Sequence, residues 1–108
     1  MNSLNYYQHQ AMYFALPECR LLPNAALGLC GEAGEFAEHV KKHMFMGKPL
    51  DSAHLAKELG DVLWYVALAC EVLGISLQDV CDANIAKLSA RYPNGFVNGG
   101  GVRTGEDA

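Results

Sequence analysis

The sequence contains no long apolar run. The longest, Val62 to Cys70, falls far short of the ~20 residues that cross a bilayer, so no membrane span is expected. The opening segment MNSLNYYQHQ has neither a basic patch nor an apolar stretch and does not read as a signal peptide. Basic residues are scarce. Eight Lys+Arg against twelve Asp+Glu leave a formal charge of -4, which argues against a nucleic-acid polymer as partner. The four cysteines, Cys19, Cys30, Cys70 and Cys81, are scattered, with no C-x-x-C. They are expected as reduced, buried thiols rather than as a disulfide framework. These features together describe a soluble, cytoplasmic protein. Disorder is excluded by a hydrophobic fraction of 51%, and 108 residues suit one domain around a shared core.

Period-two alternation is also missing, so the expected class is all-α. Leu4, Tyr7, Ala11 and Phe14 recur at helical spacing behind Asn2 and Ser3, either of which can cap a short first helix. Pro17 and Pro23 bracket a loop. Asn24 is the expected cap of a second helix with Ala26, Leu29, Cys30, Ala33, Phe36, Ala37, Val40 and Met44 on its apolar side, closing at Gly47 with Pro49 beyond. Asp51 or Ser52 caps a third, whose stripe is Leu55, Leu59, Val62, Leu63, Val66 and Leu73, and Gly74 ends it. Ser76 with Asp79 resembles a capping box for a fourth helix carrying Leu77, Val80, Cys81, Ile85 and Leu88 and ending before Pro93. Residues 1–96 are expected as a single domain, and 97–108 as a flexible Gly-rich tail. That tail is no phosphate loop, since no G-K-[ST] accompanies its glycines.

Helices two and three carry similar octets, Leu29-Cys-Gly-Glu32-Ala-Gly-Glu35-Phe36 and Leu55-Ala-Lys-Glu58-Leu-Gly-Asp61-Val62. In each, acids follow a Leu by three and six residues, and a Gly precedes the second acid. At about 100° per residue those acids lie roughly 60° and 120° from their Leu, on one flank of the apolar stripe. If the two stripes pack together, four carboxylates converge. Their mutual repulsion then calls for a cation or for raised pKa values. Oxygen donors without His or Cys suit a hard divalent ion, Mg²⁺ in the cytosol, with Mn²⁺ as a substitute. Gly34 and Gly60 are expected to permit a close approach by a helix or ligand. Solvated acidic faces are the bland alternative for either pair taken alone.

The fourth helix offers the opposite charge. Asn84, Lys87 and Arg91 fall at i, i+3 and i+7, where the two cations can grip phosphates or simply balance a helix C-terminus.

Glu32-x-x-Glu35, then 22 residues, then Glu58-x-x-Asp61, resembles the E-x-x-E…E-x-x-D signature of MazG-type nucleoside triphosphate pyrophosphohydrolases. The stretches GLCGEAGEFAEHVKK, LAKELGDVLWYVALACEVLGISL and NIAKLSARYPNGF resemble it too, from about Asn24 to Phe96. The resemblance implies a four-helix all-α chain that binds Mg²⁺ and cleaves a nucleoside triphosphate to a monophosphate and pyrophosphate, with nucleotide-pool house-cleaning as the natural role. It implies a homodimer or homotetramer with helices from two chains in the core. By position it implies Glu32, Glu35, Glu58 and Asp61 as metal ligands, Asn84, Lys87 and Arg91 as phosphate holders, and Tyr65 near the nucleotide. Glu35-x-x-Glu38 also fits the first half of the signature, but only Glu32/Glu35 aligns Leu29 with Leu55. Glu35 or Glu38 is then the expected general base.

His39 and His43, at i, i+4, lack an evident third ligand for zinc, and His9 and His54 are expected at the surface or at caps. Tyr6, Tyr7, Tyr13 and Phe14 are expected mainly in the core, with one of them available to stack on a base. Trp64 lies about 180° from Leu55 on the helical wheel, making helix three apolar nearly all round and marking Trp64 for a subunit interface. Two other function classes remain open. A di-iron carboxylate bundle requires Glu-x-x-His pairs that this chain does not show on those helices. A non-catalytic helical interaction module would use the acids as a docking surface. Metal-dependent pyrophosphate release separates the hydrolase from the module.

Overall fold

A computed structural model describes residues 3–95, and the tail beyond lies outside the described residues. Four α-helices, α1 (Leu4–Ala11), α2 (Leu22–Met46), α3 (Ser52–Leu73) and α4 (Leu77–Arg91), account for most of it, with 3₁₀ turns at Met12–Phe14 and Pro17–Cys19. No strand occurs among the described residues. Among the described residues, no single helix is long and apolar enough to cross a membrane. Two compact units, Met1–Leu77 and Gln78–Ala108, divide the chain.

Local chemistry sets most boundaries. The Ser3 hydroxyl accepts the Tyr6 N–H at 3.0 Å, and an Asp51 carboxylate oxygen accepts the His54 N–H at 3.1 Å. Gly47 and Gly74 close α2 and α3 in the left-handed region, at φ 69° and 72°, where a side chain would clash with the backbone. One expected cap is corrected. Asn24 lies inside α2, which starts at Leu22 without a side-chain cap. Pro23 supplies no N–H and so removes one unsatisfied donor from that first turn. The Asn24 side-chain amide instead donates to the Cys19 carbonyl at 3.1 Å, fastening the 3₁₀ turn to the helix.

The short link between α2 and α3 makes them antiparallel. Gly28 stands against Tyr65, Glu35 near Glu58, and His39 against His54, stepping in opposite directions along the two helices. Crossing α3, α1 completes a small core of Ala11, Met12, Ala15, Ala25, Ala67 and Leu68, against which Tyr7, Trp64, Tyr65 and Val72 pack. The buried Gln8 amide ties α1 to the far end of α3. Its Nε2 donates to Glu71 Oε1 at 3.1 Å and to the Ile75 carbonyl at 3.2 Å, while its Oε1 accepts the Leu77 N–H at 2.7 Å.

Several core expectations are overturned. Within this chain α3 buries Ala67, Leu68 and Cys70, not its leucine stripe, and Leu59 is left 54% exposed with Leu63 also exposed. The cause is the side that α1 covers. Trp64, Ala67 and Leu68, at i, i+3 and i+4, turn toward α1, which puts Leu59 and Leu63 elsewhere on the wheel. Trp64 is accordingly half-buried within the chain, and its indole N–H donates to the Ala11 carbonyl at 3.0 Å. Tyr6 and Tyr13 are exposed and Phe14 is 81% exposed, so of the early aromatics only Tyr7 packs on the core. On α2, Ala26, Cys30, Ala33, Ala37 and Met44 are exposed, and Ala25 is buried instead. All four cysteines are free thiols, but only Cys70 is buried, and Cys19 and Cys30 face solvent.

The glycines expected to allow close approach do not do so within the chain. A Cβ on Gly34 or Gly60 would meet nothing within 4 Å, whereas one on Gly28 would run into the Tyr65 ring. Gly28→Ala should therefore destabilise by about 1–3 kcal/mol through overpacking, outweighing the ~1 kcal/mol helix gain of Ala. Gly34→Ala should keep that gain. Chemical denaturation of the two variants checks the contrast, and equal midpoints would refute it.

Candidate metal and nucleotide site

The antiparallel register of α2 and α3 pairs the outer acid of each octet with the inner acid of the other. Glu35 is thereby brought toward Glu58, and Glu32 toward Asp61. Carboxylate oxygens of Glu32, Glu35 and Glu58 lie within 4.8 Å of one another. Asp61 is outside that group of three, yet it lines a cavity with Glu32 and its charge acts on Glu32. Glu58 is the buried member, only 7% exposed, while Glu35 faces solvent.

Glu32 carries the strongest sign that the cluster suits a cation. Its Oε2 is buried without any hydrogen-bond partner. Its carboxyl is held above the usual carboxylate range by desolvation first, then by the charges of Glu35, Asp61 and Glu58. Burial likewise raises the Tyr7 phenol, with the Asp61 charge adding to the effect, so α1 also reaches the acids. A divalent ion would satisfy the orphaned oxygen and offset the repulsion at once, and oxygen donors alone are what Mg²⁺ prefers.

Beside the acids is a cavity of about 350 Å³ lined by Phe14, Glu32, Asp61, Trp64 and Tyr65. Trp64 and Tyr65 meet edge to face at 5.0 Å, giving the cavity a firm aromatic wall. A larger concavity of about 760 Å³ is lined by residues of α1, the first 3₁₀ turn and the end of α3, together with Arg20, and none of the four acids contributes to it.

The other expected residues fall as follows. Glu38 is exposed and pairs with Lys41 at 3.7 Å, belonging to neither potential ligand group. Asn84, Lys87 and Arg91 lie on α4 within the second unit, Asn84 and Lys87 exposed and Arg91 half-buried with its guanidinium 5.8 Å from the Tyr92 ring centre. His43 turns back at the end of α2, where its Nδ1 is 2.9 Å from the Lys48 carbonyl. His39 instead meets His54, an unforeseen partner, and both face Glu58. The i, i+4 spacing of His54 and Glu58 was visible in the sequence; their apposition to His39 required the antiparallel register.

A family model for the MazG nucleotide pyrophosphohydrolase domain matches residues 23–96. The chain belongs to the MazG family. Among curated proteins it is similar to the Gene 37 protein of Mycobacterium phage L5, 38% identical over 84 residues, covering 74% of each chain. No solved structure matches it significantly. The MazG match takes in both acid pairs, the Gly28–Tyr65 contact and all of α4.

Proposed function

We propose that this MazG chain is a metal-dependent nucleoside triphosphate pyrophosphohydrolase, converting (d)NTP to (d)NMP and pyrophosphate in nucleotide-pool house-cleaning. The observation that carries this is Glu32, whose buried, unpartnered Oε2 stands in a carboxylate cluster while the same residue lines an aromatic cavity. Mg²⁺, or Mn²⁺ in its place, held by Glu32, Glu35, Glu58 and Asp61, would supply the charge that offsets the phosphates and the developing transition state. Glu35, an exposed acid of the cluster, accepts the proton of the attacking water, with Glu38 one turn on as the other candidate base. The water oxygen bonds to the α-phosphorus, and the bridging oxygen leaves with pyrophosphate. Tyr65 flanks the nucleotide. Asn84, Lys87 and Arg91 hold phosphate oxygens. The cytoplasm, which supplies both nucleotides and Mg²⁺, is the matching location.

The test is to incubate the protein with a panel of (d)NTPs with and without Mg²⁺ and to resolve the products. Monophosphate plus pyrophosphate, only with metal, is expected. Orthophosphate as the product, or no turnover on any nucleotide, would overturn the proposal. Lys87→Ala and Arg91→Ala should each raise KM for triphosphate by roughly ten- to a hundredfold with little change in helix content, because a charge-assisted hydrogen bond is worth about 1.5–3 kcal/mol. Unchanged KM and kcat would make them surface charges.

A homodimer or homotetramer completes this picture, and the exposed Leu59 and Leu63 on α3 and Leu27 on α2 give it apolar surface to bury. Sedimentation at micromolar concentration should give a mass at least twice 11.7 kDa. Leu59→Asp should lower it toward the single-chain value, and a monomeric, fully active wild type would refute the assembly.

A further inference from the structure

Next to the carboxylate cluster lies a group of donors with different chemistry. His39 of α2 and His54 of α3 both turn their Nε2 toward Glu58 Oε1, at 4.0 and 3.3 Å, and the ligand atoms of all three residues lie within 4.8 Å of one another. The two imidazole rings are 3.9 Å apart, centre to centre, inclined at 59°. We propose that His39, His54 and Glu58 form a second metal site, selective for a borderline divalent ion of the Zn²⁺ or Co²⁺ type over Mg²⁺.

The geometry needs little adjustment. Tetrahedral zinc with ligands at about 2.0–2.1 Å places its donor atoms about 3.4 Å apart. The His54–Glu58 separation already has that value within 0.1 Å, and the 4.0 Å from His39 closes by a small side-chain rotation. Both histidine side chains are partly exposed, at 39% and 46%, which leaves them free to turn and leaves a fourth position for water. Glu58 is the opposite case. Its carboxylate is buried, so it anchors the site while the imidazoles close on the ion.

Donor type decides which ion enters. Two neutral imidazole nitrogens and one carboxylate bind zinc-like ions strongly, whereas Mg²⁺ favours all-oxygen shells. Imidazole and oxygen donors therefore sort two kinds of metal onto neighbouring sites that share one carboxylate. The histidine site does not depend on the nucleotide chemistry proposed above, with which it has only Glu58 in common.

Cobalt titration tests it. The full-length protein in millimolar Mg²⁺ is titrated with Co²⁺ and followed by the visible bands of four-coordinate cobalt, and Zn²⁺ is then added as competitor. One Co²⁺ per chain is expected, displaced by Zn²⁺ and not by Mg²⁺. His39→Ala and His54→Ala should each weaken binding at least about tenfold with unchanged circular dichroism, since each removes one of three protein ligands. Glu32→Gln, which disables the oxygen cluster, should leave cobalt binding at the wild-type level. Wild-type affinity in both histidine variants, displacement by Mg²⁺, or loss of binding in Glu32→Gln would each overturn the site. Pyrophosphate release measured on the same Glu32→Gln sample separately reports on the hydrolase, so the two proposals fail independently.

Discussion

Glu58→Gln should lower metal-dependent pyrophosphate release by more than the ~100-fold that loss of a supporting residue around a metal can cause, while the helices stay folded. Glu58 is the buried acid of the cluster and approaches both Glu32 and Glu35. Gln has nearly the same shape, so packing is preserved and only the charge is lost. In the metal-free protein that loss is favourable, because the Glu58 charge is among those that raise the Glu32 carboxyl. The melting temperature without metal should therefore hold or rise, while stabilisation by added Mg²⁺ should largely vanish. This combination separates a ligand from a structural residue, whose loss lowers activity and melting temperature together. Full turnover in Glu58→Gln would remove the site assignment.

The second large effect is expected at Trp64. Its indole packs on the core, meets Tyr65 edge-on and donates to the Ala11 carbonyl. Truncating a core Trp to Ala costs about 3–5 kcal/mol, a large share of the ~5–15 kcal/mol that holds a domain together. With so few side chains in this core, Trp64→Ala should melt at least about 12 °C lower, given roughly 4–8 °C per kcal/mol in a domain of this size. Trp64→Phe retains much of the ring contact and should cost only about 1–2 kcal/mol, mainly the hydrogen bond left unmade. Trp64→Glu should unfold the chain instead of yielding a folded monomer. A folded, monomeric Trp64→Glu protein would show that the residue serves an interface and not the chain's own core. Thermal melts with sedimentation on the same samples distinguish these outcomes.

Much was legible before any coordinates. The 3.6-residue period, the Ser3 and Asp51 caps and the glycines at 47 and 74 are local signals, because a helix end is decided by the few backbone groups near it. The acid pairs were legible for the same reason, since i, i+3 spacing fixes which side of one helix they share. The repeated octet implied that they would converge only if the two apolar stripes packed together. Register is different, because it depends on which faces two helices choose. The antiparallel packing of α2 on α3 decided that Glu35 meets Glu58, and it placed His39 against His54 where the sequence had offered His43. Helical periodicity marked the apolar side of α3 but not which part α1 would cover. That choice buried Ala67 and Leu68, drew Trp64 inward, and left Leu59 in solvent. The sequence by itself determined the helices and the chemistry each one carries. Tertiary packing alone decided which of those groups share a site, because contact between residues far apart in the chain depends on the fit of whole surfaces.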